Sequence, residues 1–344
     1  MGTSIKDIAK LAGVSITTVS RVMNNSKPVS DELRERVNKA IAETQFTPNA
    51  LARSLVNKKT KLIGVIIPKI SNTYFSNLME GIEEVATLNG YNIIISSSNS
   101  DTAKEVEFLN IFKDRQIDGI IFCVTEFTKF HRRFYERSPI PTVFVGQNVE
   151  EMAYPSLNID NEQAAYELVN YVIQEGHKEI AYIRGSKRDK STGQERYKGF
   201  VRAMEQAGLP IHEEWTCHTE HHTVVNGYNS AKQIMSEGKK PTAICASSDL
   251  LAAGVINYLQ DNGYEVPSDI SVTGFDDAEV ATLVRPKITT SRQNPFAIGR
   301  KAMELVLAQL QQGGEVQVQV IMPHKLVVRD SVAKENSDAK RGNQ

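Results

Sequence analysis

The stretch "AGVSITTVSRVMNN", residues 12–25, decides how the start of the chain folds. Gly13 suits the tight turn that ends one helix, and Ser15 is a favourable N-cap for the next. Within that second helix, Val19 and Val22 have the i, i+3 spacing of a buried face, whereas most other positions are polar. The stretch therefore predicts a turn followed by a helix with one side in a core and the other side free.

The flanking sequence predicts two more helices. Ser4 and Asp7 match a capping box, which indicates a first helix from about residue 5 to residue 12. A third helix is expected to begin at Ser30, after Pro28. Three short helices with a glycine turn between the first two predict a helix-turn-helix unit.

The free side of the second helix carries residue types that read DNA. A helix of this size fits the major groove, where Arg21 can donate two hydrogen bonds to a guanine and Ile16 can contact a thymine methyl. An ordinary solvated helix face is the alternative. Ser15, Asn24 and Asn25 are better placed for phosphates. The residues expected at DNA are Ser15, Ile16, Thr17, Thr18, Arg21, Asn24 and Asn25.

The charge distribution favours the DNA interpretation. The 344-residue chain has a net charge of -1, and its length predicts two or more domains. Its first 60 residues contain ten lysines and arginines against five acids, a surplus of five positive charges. A basic segment joined to an acidic remainder indicates a polyanion partner for the first segment only.

Residues 47–60, "TPNALARSLVNKKT", are predicted to be an interdomain linker that also contains a hinge helix. Pro48 suits the start of a helix, but the segment is too short to be stable alone. Large, apolar Leu55 among small residues is typical of a wedge in the minor groove. We expect this helix to form only when two copies meet on DNA. Its expected contacts are Asn49, Ala52 and Leu55.

From residue 62 the sequence alternates between apolar strands and amphipathic helices. "LIGVIIP" and "DGIIFCV" are near-continuous apolar runs, as in parallel sheets covered on both faces. The pattern starts again at "EIAYIRGS". Two similar parallel-sheet α/β subdomains predict a cleft between them, with the last helix and strands crossing back as in periplasmic binding proteins.

Motifs for other functions are missing from the sequence. It has no G-x-S-x-G elbow, P-loop, H-E-x-x-H or helix-opening G-x-G-x-x-G, so we expect neither enzymatic activity nor a cofactor. "CHTEHH", residues 217–222, is conceivable as a metal site, but a solvated loop is the plainer interpretation. Three scattered cysteines favour reduced thiols, and no apolar run suits a signal peptide or membrane span. A cytoplasmic protein without a membrane partner is expected.

Three long segments together resemble the lactose-repressor (LacI/GalR) family of bacterial transcription regulators. They are "IKDIAKLAGVSITTVSRVMNN", "KKTKLIGVIIPKISNTYFSNLMEGIEEVA" and "TTSRQNPFAIGRKAMELV", and the likeness covers nearly the whole chain. It is similar to the Gram-positive branch that contains the catabolite control protein. The resemblance implies a homodimeric repressor of a near-palindromic operator, controlled by a small effector such as a sugar or sugar phosphate. It assigns base reading to Ile16, Thr17 and Arg21, and intercalation to Leu55.

The resemblance also implies the organisation of the chain. A helix-turn-helix domain (1–46) and the hinge and linker (47–60) precede an effector-binding and dimerisation domain (61–330). Independently of the resemblance, residues 331–344 are expected to be a disordered tail, because the final "AKENSDAKRGNQ" has almost no apolar content. Subdomain 1 is about 61–159 with 291–321, and subdomain 2 is about 160–290 with 322–330. Tyr74 and Phe75 offer either helix-start packing or a stacking surface. The expected effector residues, Arg196 and Asp276 foremost, are Tyr74, Phe75, Gln147, Arg196, Ser248, Asp249, Asp276 and Gln293.

Two alternatives to this function remain. A catabolite-control-type regulator depends on phosphorylated HPr and carries basic residues on its last long helix. Here Glu304 stands where an arginine is expected, which makes HPr dependence doubtful. A carbohydrate-binding transport protein fits residues 62–330, but neither the basic helical domain nor the missing signal peptide.

Overall fold

The computed structural model describes residues 3–24, 27–45, 59–147, 149, 152–236, 238–311 and 319–335. The chain divides into two compact units, Met1–Thr60 and Lys61–Gln344. No helix in the described part of the chain is long and apolar enough to cross a membrane. The hinge-helix prediction falls outside the described residues, apart from positions 59 and 60.

The first unit contains the predicted helix-turn-helix. Its helices are α1 (Ile5–Ala12), α2 (Ile16–Asn24) and α3 (Asp31–Thr44). The capping box is present, because the Ser4 N–H donates to Asp7 Oδ2 at 2.9 Å and the Asp7 N–H donates to Ser4 Oγ at 3.4 Å. The helices enclose a small core of Ile8, Ala9, Ala12, Val19, Val22, Val37 and Ala40.

The turn between α1 and α2 depends on glycine. Gly13 has a φ of 61°, a left-handed conformation that side chains disfavour. Its N–H closes α1 at Lys10 O, and its carbonyl accepts a 3.1 Å hydrogen bond from Arg36 Nη2 on α3. These hydrogen bonds tie the turn to both α1 and α3.

The second unit alternates strands and helices as predicted. Its helices are α4 (Thr73–Leu88), α5 (Thr102–Asp114), α6 (Lys129–Arg137), α7 (Asn161–Gln174), α8 (Arg196–Gln206), α9 (Val224–Met235), α10 (Asp249–Asp261), α11 (Val280–Leu283) and α12 (Pro295–Leu310). A π-helix at Lys190–Glu195 runs directly into α8.

Its strands form two sheets of six strands each within the described residues. They are β1 (Leu62–Ile67), β2 (Asn92–Ser97), β3 (Gly119–Cys123), β4 (Thr142–Val145), β5 (Ser156–Ile159), β6 (Ile180–Arg184), β7 (Thr216–His218), β8 (Ala243–Ala246), β9 (Ser271–Asp276), β10 (Thr289–Arg292), β11 (Gln319–Met322) and β12 (Lys325–Val327). We call the part of the second unit built on each sheet a lobe. The sheet of lobe 1 has the strand order β11-β5-β4-β3-β1-β2, and the sheet of lobe 2 has the order β12-β10-β9-β8-β6-β7. All pairings are parallel except β10 with β12.

Both faces of each sheet are covered by helices. In lobe 1, Val65 and Ile121 pack with residues of α4 and α12, whereas Ile66 and Phe122 pack with α5 and α6 on the other face. In lobe 2, strand residues likewise divide between α9 with α10 and α7 with α8. Burial on both faces explains why the strands are near-continuous apolar runs in the sequence.

The chain crosses between the lobes after β5, after β10, and between β11 and β12. These crossings bring the loops that follow the parallel strands of lobe 1 against those of lobe 2. One such contact is the 3.4 Å hydrogen bond from the Lys190 N–H to Thr125 O. The geometry therefore positions polar loop residues of both lobes at a common interface.

The predicted disordered tail, 331–344, is wrong for its first five residues. Ser331 is fully buried, where its Oγ accepts from the Thr289 N–H at 2.8 Å. The Ala333 N–H donates to Ser271 Oγ at 3.1 Å, and a ring nitrogen of His177 lies 2.9 Å from Ala333 O. Each of these hydrogen bonds involves a backbone group. The low apolar content of the tail therefore gives no indication that its first residues are ordered. Residues 336–344 lie outside the described part.

Candidate functional site

A chain of polar contacts joins the two lobes where their parallel strands end. Tyr74, at the start of α4, donates from its hydroxyl to Gln293 Oε1 at 3.4 Å. Gln293 Nε2 donates to Asp276 Oδ1 at 2.7 Å, and Arg196 Nη2 lies 3.3 Å from the same oxygen. We call Tyr74, Gln293, Asp276 and Arg196 the interlobe network. Four of the predicted effector residues thus lie in one connected group.

Arg196 organises the lobe 2 side of this network and is only 4% exposed. Its Nε donates to Asn161 Oδ1 at 2.9 Å, and its Nη1 donates to Ser247 O at 2.6 Å. The guanidinium lies 3.6 Å from the centre of the Phe275 ring. A guanidinium has five N–H donors, so the contacts with Asn161, Ser247 and Asp276 leave capacity for a ligand.

Asp276 ends β9 in an unusual backbone conformation. Its φ of 105° lies in the left-handed region that side chains disfavour. Burial raises the pKa of its carboxyl group above the ordinary value, although the Arg196 guanidinium opposes this shift. Strained residues with perturbed carboxyl groups are frequent at ligand sites, and here the carboxylate holds both Arg196 and Gln293.

A second group of contacts, which we call the latch, connects the lobes beside the network. Asn158 Nδ2 of lobe 1 donates to Gly146 O at 3.1 Å and to Ser191 Oγ at 3.2 Å. The hydroxyl of Ser191, which belongs to lobe 2, also donates to Gly146 O. Asn161 Nδ2 donates to Asn158 Oδ1 at 2.9 Å, while Asn161 Oδ1 accepts from Arg196. Latch and network therefore form one hydrogen-bonded system across both lobes.

The π-helix Lys190–Glu195 gives the latch its lobe 2 side. Asp189 caps it, since the Thr192 N–H donates to Asp189 Oδ1 at 2.8 Å. Burial raises the pKa of the Asp189 carboxyl group. A Cβ at Gly193 would lie 1.7 Å from Ser186 O, so the close approach of these two backbones requires glycine. This segment positions Arg196 by continuing directly into α8.

His222 lies in the loop after β7, beside Gly185 and Thr192. A Cβ placed on Gly185 would lie 2.9 Å from His222 Nε2 and 2.3 Å from Thr192 Oγ1, so these two side chains converge over the glycine. Burial, aided by the nearby Arg196 charge, lowers the pKa of His222 to about 4. The imidazole is therefore uncharged at neutral pH. Within this loop His222 is half-buried, whereas His221 is exposed.

Metal binding gains no support at this loop or elsewhere in the described residues. No group of three His, Cys, Asp or Glu side chains there is arranged to hold a metal ion.

Two other predicted effector residues, Asp249 and Ser248, make hydrogen bonds within lobe 2. Asp249 is 1% exposed, and its carboxylate accepts from Thr290 Oγ1 and from the Ala278 N–H, both at 2.7 Å. Burial and the neighbouring Asp276 carboxylate raise its pKa well above the ordinary value. Ser248 caps α10 by accepting from the Leu251 N–H at 3.4 Å. Their side chains hold the loops around the network in place.

Gln147 and Phe75 lie beside the network rather than in its polar chain. Gln147 Oε1 accepts from the Phe127 N–H at 3.0 Å, next to Gly146 of the latch. Phe75 packs edge-on against Tyr74, with ring centres 5.2 Å apart, and it also borders a surface groove. Phe75 thus supports the position of Tyr74.

Sequence reasoning missed Asn158, Asn161 and Ser191, and it considered His222 only as part of a metal cluster. A usable signal for the two asparagines was their i, i+3 spacing at the end of a strand that leads into a capped helix. Ser191 had no such signal, because its position depends on the π-helix.

The surface of α2 has the two-sided character predicted for a DNA-reading helix. Val19 and Val22 are buried, whereas Ile16 is 45% exposed and Arg21 is exposed. Thr17 is also exposed, and Ser15 caps the helix by accepting from the Thr18 N–H at 3.1 Å. The side chain of Asn24 and the whole of Asn25, Asn49, Ala52 and Leu55 lie outside the described residues.

Two known protein families match segments of this chain, one in each unit. A family described as "Bacterial regulatory proteins, lacI family" matches residues 4–49, and a "Periplasmic binding protein-like domain" matches residues 169–332. Catabolite control protein A of Priestia megaterium is 37% identical over 331 residues, covering 96% of this chain and 99% of the relative. The transcriptional repressor PurR of Vibrio parahaemolyticus is 33% identical, covering 97% and 99%.

Solved structures of transcription regulators are also similar to this chain. The lac repressor dimer bound to operator and the anti-inducer ONPF matches with a TM-score of 0.87 and 25% identity, covering 97% of this chain and 100% of that one. The transcription regulator CcpA of Lactococcus lactis matches with a TM-score of 0.73 and 29% identity, covering 79% and 98%.

Proposed function

Since the chain belongs to the lacI family of bacterial regulatory proteins and is a DNA-binding transcriptional regulator, we propose that it represses transcription as a homodimer under the control of a small effector. The observation that supports the effector assignment is the interlobe network. There Arg196 and Asp276 of lobe 2 meet Gln293, on the crossing after β10, and through it Tyr74 of lobe 1. As a regulator of bacterial DNA it would act in the cytoplasm.

The operator would be read by the exposed side of α2. Arg21 provides a bidentate donor for guanine, and exposed Ile16 suits a thymine methyl. Two copies related by a twofold axis would present two such helices to a near-palindromic site. The proposed contacts remain Ser15, Ile16, Thr17, Thr18, Arg21, Asn24, Asn25, Asn49, Ala52 and Leu55.

The effector would bind at the interlobe network, and a sugar or sugar phosphate suits its chemistry. A guanidinium and a carboxylate side by side can bind vicinal hydroxyls through charge-assisted hydrogen bonds. Because the latch joins the two lobes to Arg196 through Asn161, a ligand there would alter the lobe arrangement. The coupling to operator binding would be on the order of 1–3 kcal/mol, or roughly 5- to 150-fold in affinity.

Dependence on phosphorylated HPr is not part of this proposal. The basic residues of α12 are already paired: Arg300 Nη1 lies 3.0 Å from Glu84 Oε1, and Lys301 Nζ lies 3.5 Å from Glu304 Oε2. Glu304 itself adds negative charge to this surface. A phosphorylated partner protein would find few free cations on this helix.

Selection of DNA duplexes from a random-sequence library tests the proposed function. The wild-type protein should recover a near-palindromic sequence, and Arg21→Ala should bind it about 10-fold more weakly or worse and relax preference at the guanine. Lys39→Ala is the matched control, because it removes an exposed positive charge from α3. It should weaken all sequences uniformly. Sequence-blind binding by the wild type would refute the regulator assignment.

A further inference from the structure

Helix α6 (Lys129–Arg137) presents a row of cations on its exposed side. Lys129, Arg133 and Arg137 are all exposed and have the spacing i, i+4, i+8, so they lie along one line of the helix with a rise of about 6 Å between neighbours. We call these three residues the α6 stripe. In the part of the chain that the structure describes, no carboxylate is paired with any of them. Lys129 Nζ lies over the ring of Phe130, 5.5 Å from its centre.

The packing of α6 leaves the α6 stripe outside the core of lobe 1. Phe134 and Tyr135, on the other side of the helix, pack with Ile66 and Phe122 of the sheet. Helix α12, on which a catabolite-control-type regulator carries basic residues, covers the opposite face of that sheet. The α6 stripe is therefore a surface of its own, and it contains none of the residues of the interlobe network.

The α6 stripe is unfavourable for the chain alone. Like charges four positions apart on a helix repel each other, and Arg133 forms such a pair with both Lys129 and Arg137. Phe130, three positions before Arg133, borders the row and is 55% exposed. The second unit as a whole is acidic, so the row is not part of a generally positive surface. A solvated helix face accounts for scattered charges, but not for a line of like charges beside an exposed aromatic ring.

We propose that the α6 stripe and Phe130 form a docking surface for an acidic helical segment of another protein. Carboxylates at i, i+4 and i+8 of the partner helix match the three cations one by one, as charged positions do between paired helices. An apolar side chain of the partner covers the Phe130 ring. Duplex DNA suits the surface less well, because Glu136 is exposed on the same helix and a phosphate backbone offers no apolar contact to Phe130.

Selection from a displayed library of random peptides tests the class of partner. The peptides have about 16 residues, enough for four helical turns, and the full wild-type chain is the target. Peptides that also bind the Arg133→Glu variant are removed beforehand. The recovered peptides should carry Asp or Glu at helical spacing together with at least one apolar residue. Recovery of basic or uncharged peptides, or of none, would overturn the proposal.

Calorimetry with a recovered peptide tests the residue assignment. Arg133→Glu should weaken binding at least about 10-fold, and Phe130→Ser roughly 3- to 10-fold. Lys198→Glu is the matched control, because it makes the same charge change at an exposed position of α8 in lobe 2. It should change the affinity less than about twofold, since a distant exposed charge is screened by salt. Equal losses in the two glutamate variants would show that the total charge of the protein attracts the peptide, which contradicts the role of the α6 stripe.

Thermal unfolding separates lost docking from lost folding. Arg133→Glu replaces two like-charge pairs on α6 with two opposite-charge pairs, so it should raise the Tm slightly while it weakens peptide binding. If this variant has a lower Tm than the wild type, Arg133→Gln, which only removes the charge, takes its place in the calorimetry. Unchanged peptide affinity in a folded Arg133 variant would refute the proposal.

A DNA duplex of unrelated sequence is the second probe. Its affinity for the full chain should change less than about twofold in Arg133→Glu, because the proposed DNA contacts lie in the first 60 residues. A loss as large as that measured with the peptide would make the α6 stripe a DNA contact and refute docking of a protein. Operator binding by the same variant should stay at the wild-type level.

Discussion

Asp249 and Asp276 both follow strand ends, but they use their carboxyl groups differently. Asp276 is strained and holds Arg196 and Gln293 at the network. Asp249 takes its hydrogen bonds from Thr290, 41 positions away, and from the Ala278 N–H. The sequence context is similar in the two cases, so local pattern predicts both as ligand residues. Only the tertiary position of Thr290 distinguishes them.

Replacement of Asp249 should therefore affect stability before it affects effector binding. Asp249→Ala leaves the Ala278 N–H and the Thr290 hydroxyl unpaired in a buried place, which should cost about 2–4 kcal/mol of unfolding free energy. Asp249→Asn can bond both groups and should stay close to wild type. Chemical denaturation monitored by circular dichroism measures both. An Asp249→Ala variant as stable as Asp249→Asn would contradict this role.

The raised pKa of Asp249 predicts that the stability of the protein depends on pH. Burial and Asp276 raise the folded-state pKa of Asp249, so the folded protein holds this proton more tightly than the unfolded chain does. The contribution of Asp249 is therefore fully present below the unfolded pKa near 3.8 and is lost as pH rises through the folded pKa. Wild type should lose stability relative to Asp249→Asn over that interval.

At the scale of elements, the π-helix Lys190–Glu195 is the segment on which latch and network both depend. It places Ser191 against Gly146 and leads into α8 at Arg196. Gly193→Ala would put a Cβ 1.7 Å from Ser186 O, where only backbone movement can relieve the overlap. We expect a loss of about 1–3 kcal/mol in stability and weaker effector binding.

Gly238→Ala is the matched control for that prediction, because nothing lies within 4 Å of a Cβ at Gly238. Thermal unfolding and effector titration of the two variants give the comparison. Operator binding by effector-free Gly193→Ala should stay near wild type, since the helix-turn-helix forms a separate compact unit. Equal behaviour of the two alanine variants would show that the π-helix tolerates displacement.

Elements with strong local signals could be predicted from the sequence. The capping box of Ser4 and Asp7 predicted the start of α1, and near-continuous apolar runs predicted β1 and β3. Strand β5 was not predicted, because "SLNI" is short and half polar. The π-helix and the attachment of Ser331 could not be predicted either, since both depend on contacts distant in sequence.

At the scale of the whole molecule, the two units differ in charge as well as in fold. The first 60 residues carry a surplus of five positive charges, while the net charge of the full chain is -1. The remainder is therefore acidic, and the interlobe network within it is charge-balanced. A polyanion would be attracted to the first unit, whereas an uncharged effector would meet no long-range electrostatic force at the second.

This difference predicts that salt affects the binding of the two ligands to different extents. Operator binding releases counterions from DNA, so a dimer that neutralises several phosphates should lose roughly 10³- to 10⁵-fold in affinity between 50 and 200 mM salt. Binding of an uncharged sugar effector should change less than about twofold over the same range, because such a ligand has no charge for salt to screen. Fluorescence anisotropy with the selected duplex and calorimetry with the effector measure the two salt dependences. If effector affinity falls in parallel with operator affinity, the effector binds as an anion, which favours a sugar phosphate over an uncharged sugar at the interlobe network.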